Sequence, residues 1–288
     1  MTHAAPPAPL ADASAPRRGT PSNPQHPTPM NTRLPLVLLA LLAAPAVAQP
    51  DAHAAVERGR ALVTAGHMTG SVDSLLAGRA ALALAASADD PETAAWAAYY
   101  SALADHRLSY AFWDGDAPRA LRHAEEGAEA LAPLVGDGAL PAALRAEAAA
   151  LRGTLLGTQV GLDESRAMRL GQESQAAAAA ALRLAPDNPR VLLQSGTALL
   201  YTPPEWGGDP AEAVRRLERA VTLFGPVEGL APSWGEDEAW ASLGMAHLMA
   251  GNAGAARPAI ERAAALNPAS PFVQYKLMPW LEQVEAAQ

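Results

Sequence analysis

The chain has 288 residues, half of them hydrophobic and 5% aromatic, with a formal net charge of -9. An acidic chain lacks the basic footprint of a nucleic-acid-binding protein, and the absence of cysteine removes disulfides, thiolate metal sites, cysteine nucleophiles and an N-terminal lipid anchor. The length supports a sizeable core, and alanine-rich composition without alternating β-branched runs predicts helices and no strand.

Residues 1–29 are rich in Pro, Ala, Ser and Thr and have no apolar period, so they are expected to be disordered. Met30-Asn31-Thr32-Arg33 then precedes an apolar run from Leu34 to Ala44, followed by Pro45 and Ala46-Val47-Ala48-Gln49. A positive start, a short apolar run and a small-x-small site predict a signal peptide over 30–48, cleaved near Ala48-Gln49. That run is shorter than the roughly 20 residues of a membrane helix, so no membrane span is expected in the mature chain. The protein is expected in the periplasm or outside the cell. Met30 is expected as the start of the signal, with Met1 an upstream extension. The pair Arg17-Arg18 lies fifteen residues before the apolar run, too far for a twin-arginine signal. Residues 49–288 are expected to form a helical repeat domain.

A first helix pair is predicted over 51–65 and 73–86. Asp90-Pro91 opens the next helix, which carries Trp96, Tyr99, Tyr100 and Leu103. Its partner covers 117–134, after the turn Asp114-Gly115-Asp116. Another pair covers 141–160 and 164–184. Asn188 and Pro189 then serve as N-cap and first residue of a helix whose Leu192, Gly196 and Leu199 share a face. The insertion 202–208 leads into a helix over 209–223, with Ala213, Leu217 and Ala220 in register. Asp209 suits its N-cap and Glu212 the third position of a capping box. Gly207 and Gly208 permit positive φ, and Trp206 is placed to anchor the turn. In 236–268, Trp240, Leu243, Gly244 and His247 sit at i, i+3, i+4 and i+7, a Gly251-Asn252 turn follows, and Ala256, Ile260 and Ala263 line the second helix. A last helix over 271–285 is expected to cap the end.

Trp240, Leu243, Gly244, Ala256, Ile260, Ala263 and Pro268 together resemble the tetratricopeptide repeat, with His247 in place of the usual aromatic. Residues 182–220 resemble an exported bacterial subset of that family with a P-x-x-W/F-G-G-D turn. The resemblance implies an all-α, right-handed superhelical solenoid of about five helix pairs and a capping helix. It also implies a concave groove lined by Leu193, Thr197, Leu200 and Tyr201 in one repeat and by Ala241, Met245, Leu248 and Met249 in the next. Such an apolar lining fits a protein or peptide partner. A small solute, bound on behalf of a transporter, is the alternative. The C-terminal helix, with Phe272, Tyr275, Leu277 and Trp280, either leaves this groove open or folds into it. Thr197 and Met245 stand where chaperone-binding relatives carry Asn, so that activity is not implied.

The sequence has no H-E-x-x-H, no G-x-S-x-G and no G-x-G-x-x-G after a strand. A catalyst is not expected, nor a bound cofactor or metal. His106 and His123, on successive helices, leave a metal-dependent hydrolase as a remote alternative, which requires both imidazoles to converge on one ion.

Overall fold

The computed structural model describes residues 51–287, all within one compact unit. The expected disordered segment, signal peptide and cleavage point lie outside the described residues. Among the described residues there are eleven α-helices and no strand. They are α1 (Ala52–Thr69), α2 (Val72–Ala83), α3 (Pro91–Phe112), α4 (Ala117–Gly136), α5 (Ala142–Leu162), α6 (Ala167–Leu184), α7 (Pro189–Tyr201), α8 (Pro210–Leu223), α9 (Glu236–Met249), α10 (Ala253–Leu266) and α11 (Met278–Ala286).

Local chemistry sets most of these boundaries. Asp90, Asn188, Asp209 and Asn252 each accept a backbone N–H from the first turn that follows, satisfying donors that a helix start leaves unpaired. Pro91, Pro189 and Pro210 occupy first positions, where a missing N–H costs nothing. The first helix runs past the expected residue 65. Gly66 is not a stop; it is buried where α1 meets α2, and a Cβ there would lie 2.7 Å from the Leu75 side chain. The helix ends instead at Gly70, which takes φ 68°.

The helices pack as hairpins, α1 with α2, α3 with α4, α5 with α6, α7 with α8 and α9 with α10. The odd-numbered helices α1, α3, α5, α7 and α9 also touch one another in succession and form a continuous layer. Small residues set the close approach within the last two hairpins. A Cβ on Gly196 would lie 3.0 Å from Leu217 Cγ, and one on Gly244 would lie 2.5 Å from Ile260 Cγ1. Ala213, Leu217, Ala220, Ala256, Ile260 and Ala263 are all buried, as their register predicts. His247 is half-buried at the aromatic position.

Two segments depart from the expected plan. The C-terminal helix is not regular from residue 271, because Val273–Leu277 is a π-helical stretch leading into α11. Pro279 supplies the reason, since it lacks the N–H for an i→i−4 bond and its ring crowds the carbonyl four residues back. Residues 224–235 carry no helix and cross from α8 to α1 and α3. Arg60 donates to the carbonyls of Gly229 (2.9 Å) and Ala231 (3.3 Å), and Tyr100 donates to that of Leu230 (2.8 Å). This strap closes the N-terminal hairpin onto the C-terminal half.

Candidate functional site

Helix α3 presents Tyr99, Leu103, His106 and Tyr110 as one stripe, each a turn beyond the last. The strap covers its first half. Trp234 Nε1 donates to the Tyr99 hydroxyl at 3.0 Å, and Trp234 and Leu103 line the same cleft. Arg107 lies over the Trp234 ring at 5.1 Å and is paired in bidentate fashion with Glu238. Past Trp234 the stripe continues through His106 to Tyr110, where it opens to solvent.

The open part is aromatic and thioether in character. Tyr110 is 55% exposed and stacks on Trp113 at 5.6 Å; Tyr201, at the end of α7, is 66% exposed. Desolvation nonetheless pushes both hydroxyls above the ordinary tyrosine range, with the Tyr110 phenol contributing to the shift of Tyr201. The Tyr201 hydroxyl donates to Met245 Sδ at 3.4 Å, and the Tyr110 hydroxyl lies near Thr158 of α5. Met249, one turn beyond Met245, is exposed.

Of the eight residues expected to line a groove, the structure leaves Tyr201 and Met249 exposed and Thr197 half-buried, with its hydroxyl 3.2 Å from that of Ser242. Leu193, Leu200, Ala241, Met245 and Leu248 are buried in the core that joins α7 to α9. A first helix of each hairpin must also bury a face against the next first helix. That requirement takes the leucines out of contact with any ligand. Tyr110, Trp113 and His106 were not singled out as groove residues. The i, i+4 spacing of His106 and Tyr110 was available, but which face of α3 stays uncovered depends on the strap.

The C-terminal segment does not enter this region. It packs on α9 and α10, burying Val273, Leu277 and Leu281 and leaving Tyr275 77% exposed. The turn after α7 is ordered by its own backbone. Trp206, Gly207 and Gly208 donate to the Pro203 and Pro204 carbonyls, Gly207 takes φ 96°, and Asp209 caps Glu212 N at 2.9 Å. Trp206 does not bury beneath the turn; the residue is 48% exposed, and the anchor is its carbonyl, which accepts from Gln175 Nε2 at 2.7 Å. Glu212 pairs with Arg215 and Arg216, so only the Asp209 half of the capping box forms.

Two clusters bring His and carboxylate groups together among the described residues: His67 with Asp237 and Glu238, and His123 with Asp105 and Glu126. In each an arginine already supplies the compensating charge. Arg107 holds Glu238, while Arg79 holds Asp105 at 3.1 Å and Glu126 at 3.0 Å. His67 accompanies Arg107, Met68 and Trp234 in a cleft of about 190 Å³, where it pairs with Asp237 at 3.0 Å. His106 and His123 do not converge. His123 Nδ1 bonds Asp105 Oδ1 at 2.8 Å and its ring stacks on Phe112, whereas His106 packs edge-on against Tyr110. Adjacent residues of a helix diverge by about 100°, which separates His106 from the partner of His123.

The chain is similar to a haemophore. The solved structure of the HusA haemophore from Porphyromonas gingivalis matches with 25% sequence identity and a TM-score of 0.55, over 66% of this chain and 91% of that one. No family model and no curated protein matches the chain. No helix among the described residues is long and apolar enough to cross a membrane.

Proposed function

We propose that the chain is an exported tetratricopeptide-type solenoid that binds a flat, largely apolar cargo of the haem class on the open part of its odd-helix layer. The reading rests on the likeness to a haemophore over 91% of that protein's length. The site adds chemical support: Tyr110, Tyr201 and Met249 offer ring faces and a thioether to a macrocycle, and a planar apolar ligand is held by such contacts with few polar ones. The matched Gly196–Leu217 and Gly244–Ile260 contacts support the repeat assignment. This is a binding protein and not an enzyme in our reading, since the charged groups near the site are paired with one another. An apolar peptide is the second reading, favoured by the exposure of Tyr201 and Met249 at adjacent helix ends.

Titration of the full chain with ferric haem and, separately, with metal-free protoporphyrin IX tests the proposal. Saturable binding of both is expected, with at least a tenfold loss in a Tyr110→Ala/Tyr201→Ala variant that keeps its helical circular dichroism. Absence of binding to either compound would remove the cargo reading and leave the peptide reading in front.

A further inference from the structure

His106 is 9% exposed, and neither Nδ1 nor Nε2 has a hydrogen-bond partner. A buried imidazole normally bonds through at least one nitrogen, because unpaired polar atoms away from water are costly. The other histidines of the core-facing region follow that rule: His123 bonds Asp105 and His67 bonds Asp237. His106 lies on the stripe that leads from the strap to the exposed Tyr110, one turn later, whose ring stands edge-on to it at 5.1 Å. Burial, then the Arg107 and His67 charges, hold the imidazole well below its ordinary range, so it is neutral at pH 7 with a free lone pair.

Resting on the cargo reading above, we propose that His106 is an axial ligand to the iron of a haem-type cargo, reached when the Tyr110 ring turns aside. Neutral imidazole is a common axial ligand to haem iron. No proton has to leave, and the bond formed is a dative one from a ring nitrogen to the metal. Tyr110 is more than half exposed, so rotation carries its ring toward solvent. The structural alternative, a histidine that merely fills space, predicts that an apolar ring serves as well.

The test is titration of the full chain and a His106→Phe variant with ferric haem and with metal-free protoporphyrin IX, followed by absorption and electron paramagnetic resonance. The expected result is an imidazole-ligated ferric spectrum in the parent. His106→Phe should lose that signature and at least tenfold in haem affinity, while protoporphyrin binding changes less than twofold. An unchanged haem spectrum and affinity in His106→Phe would overturn the ligand assignment and leave the cargo reading standing. Failure of the parent to bind either compound would overturn both.

Discussion

Arg190, the second residue of α7, places its Nε 2.7 Å from Glu147 Oε1 of α5, and both side chains are almost fully buried. Asn188 Nδ2 donates to the same oxygen at 2.7 Å, and the Tyr99 hydroxyl donates to Oε2 at 3.0 Å. Trp234 of the strap donates to that hydroxyl in turn. One carboxylate thus ties α3, α5, the start of α7 and the strap together. Breaking a buried pair by removing one partner strands the other charge, so Glu147→Ala should destabilise by about 3–5 kcal/mol. The apolar double variant Glu147→Leu/Arg190→Met should recover most of that loss. Urea denaturation followed by circular dichroism measures both, and a double variant as unstable as the single one would contradict the charge-stranding account.

The strap depends on Trp234, which combines a half-buried ring, the bond to Tyr99 and the Arg107 contact. Trp234→Ala should cost about 2–3 kcal/mol, below the loss for a fully buried tryptophan. Trp234→Phe keeps the apolar body and loses the N–H donor, so about 1 kcal/mol is expected. Equal losses in the two variants would mean that the hydrogen bond, not the ring, fixes the strap.

Acid should loosen the same junction. Burial raises the Asp237 carboxyl, but the His67 hydrogen bond and charge, with Asn267 and Arg107, outweigh it and hold the group below its ordinary value. A carboxyl depressed in the folded chain contributes fully above its unfolded value of about 3.9, and the contribution is lost as pH falls through the folded value. Asp237→Asn should therefore be less stable than the parent at pH 7 by about 1–2 kcal/mol, with the gap shrinking toward pH 3. Denaturation curves at the two pH values decide it; a constant gap would point to packing and not to charge.

The turn before α8 should tolerate almost nothing at Gly208. A Cβ there would lie 1.7 Å from the Thr202 carbonyl oxygen, so Gly208→Ala must open the turn, at a cost of about 3 kcal/mol. Gly207→Ala meets no such clash but carries φ 96°, and about 1–2 kcal/mol is expected. Gly115→Ala, where a Cβ meets nothing within 4 Å, serves as the neutral control. Thermal melts should rank the three in that order.

Helix starts, the close pairs Gly196–Leu217 and Gly244–Ile260, and the all-helical class were determined by the sequence itself. Caps, prolines and apolar periods act within a few residues, so Asp90, Asn188, Asp209 and Asn252 mark the same boundaries whatever surrounds them. The tertiary structure decided the rest. Leu193, Leu200 and Leu248 read as groove residues by register, yet burial between neighbouring odd helices claims them. Trp234 meets Tyr99, and Arg60 meets Gly229, across sequence separations of more than a hundred residues. Contacts of that span depend on how the hairpins stack and where the strap lands. The isolation of His106 depends on the same things, because a residue's period fixes its face on the helix but not what the rest of the chain lays against that face.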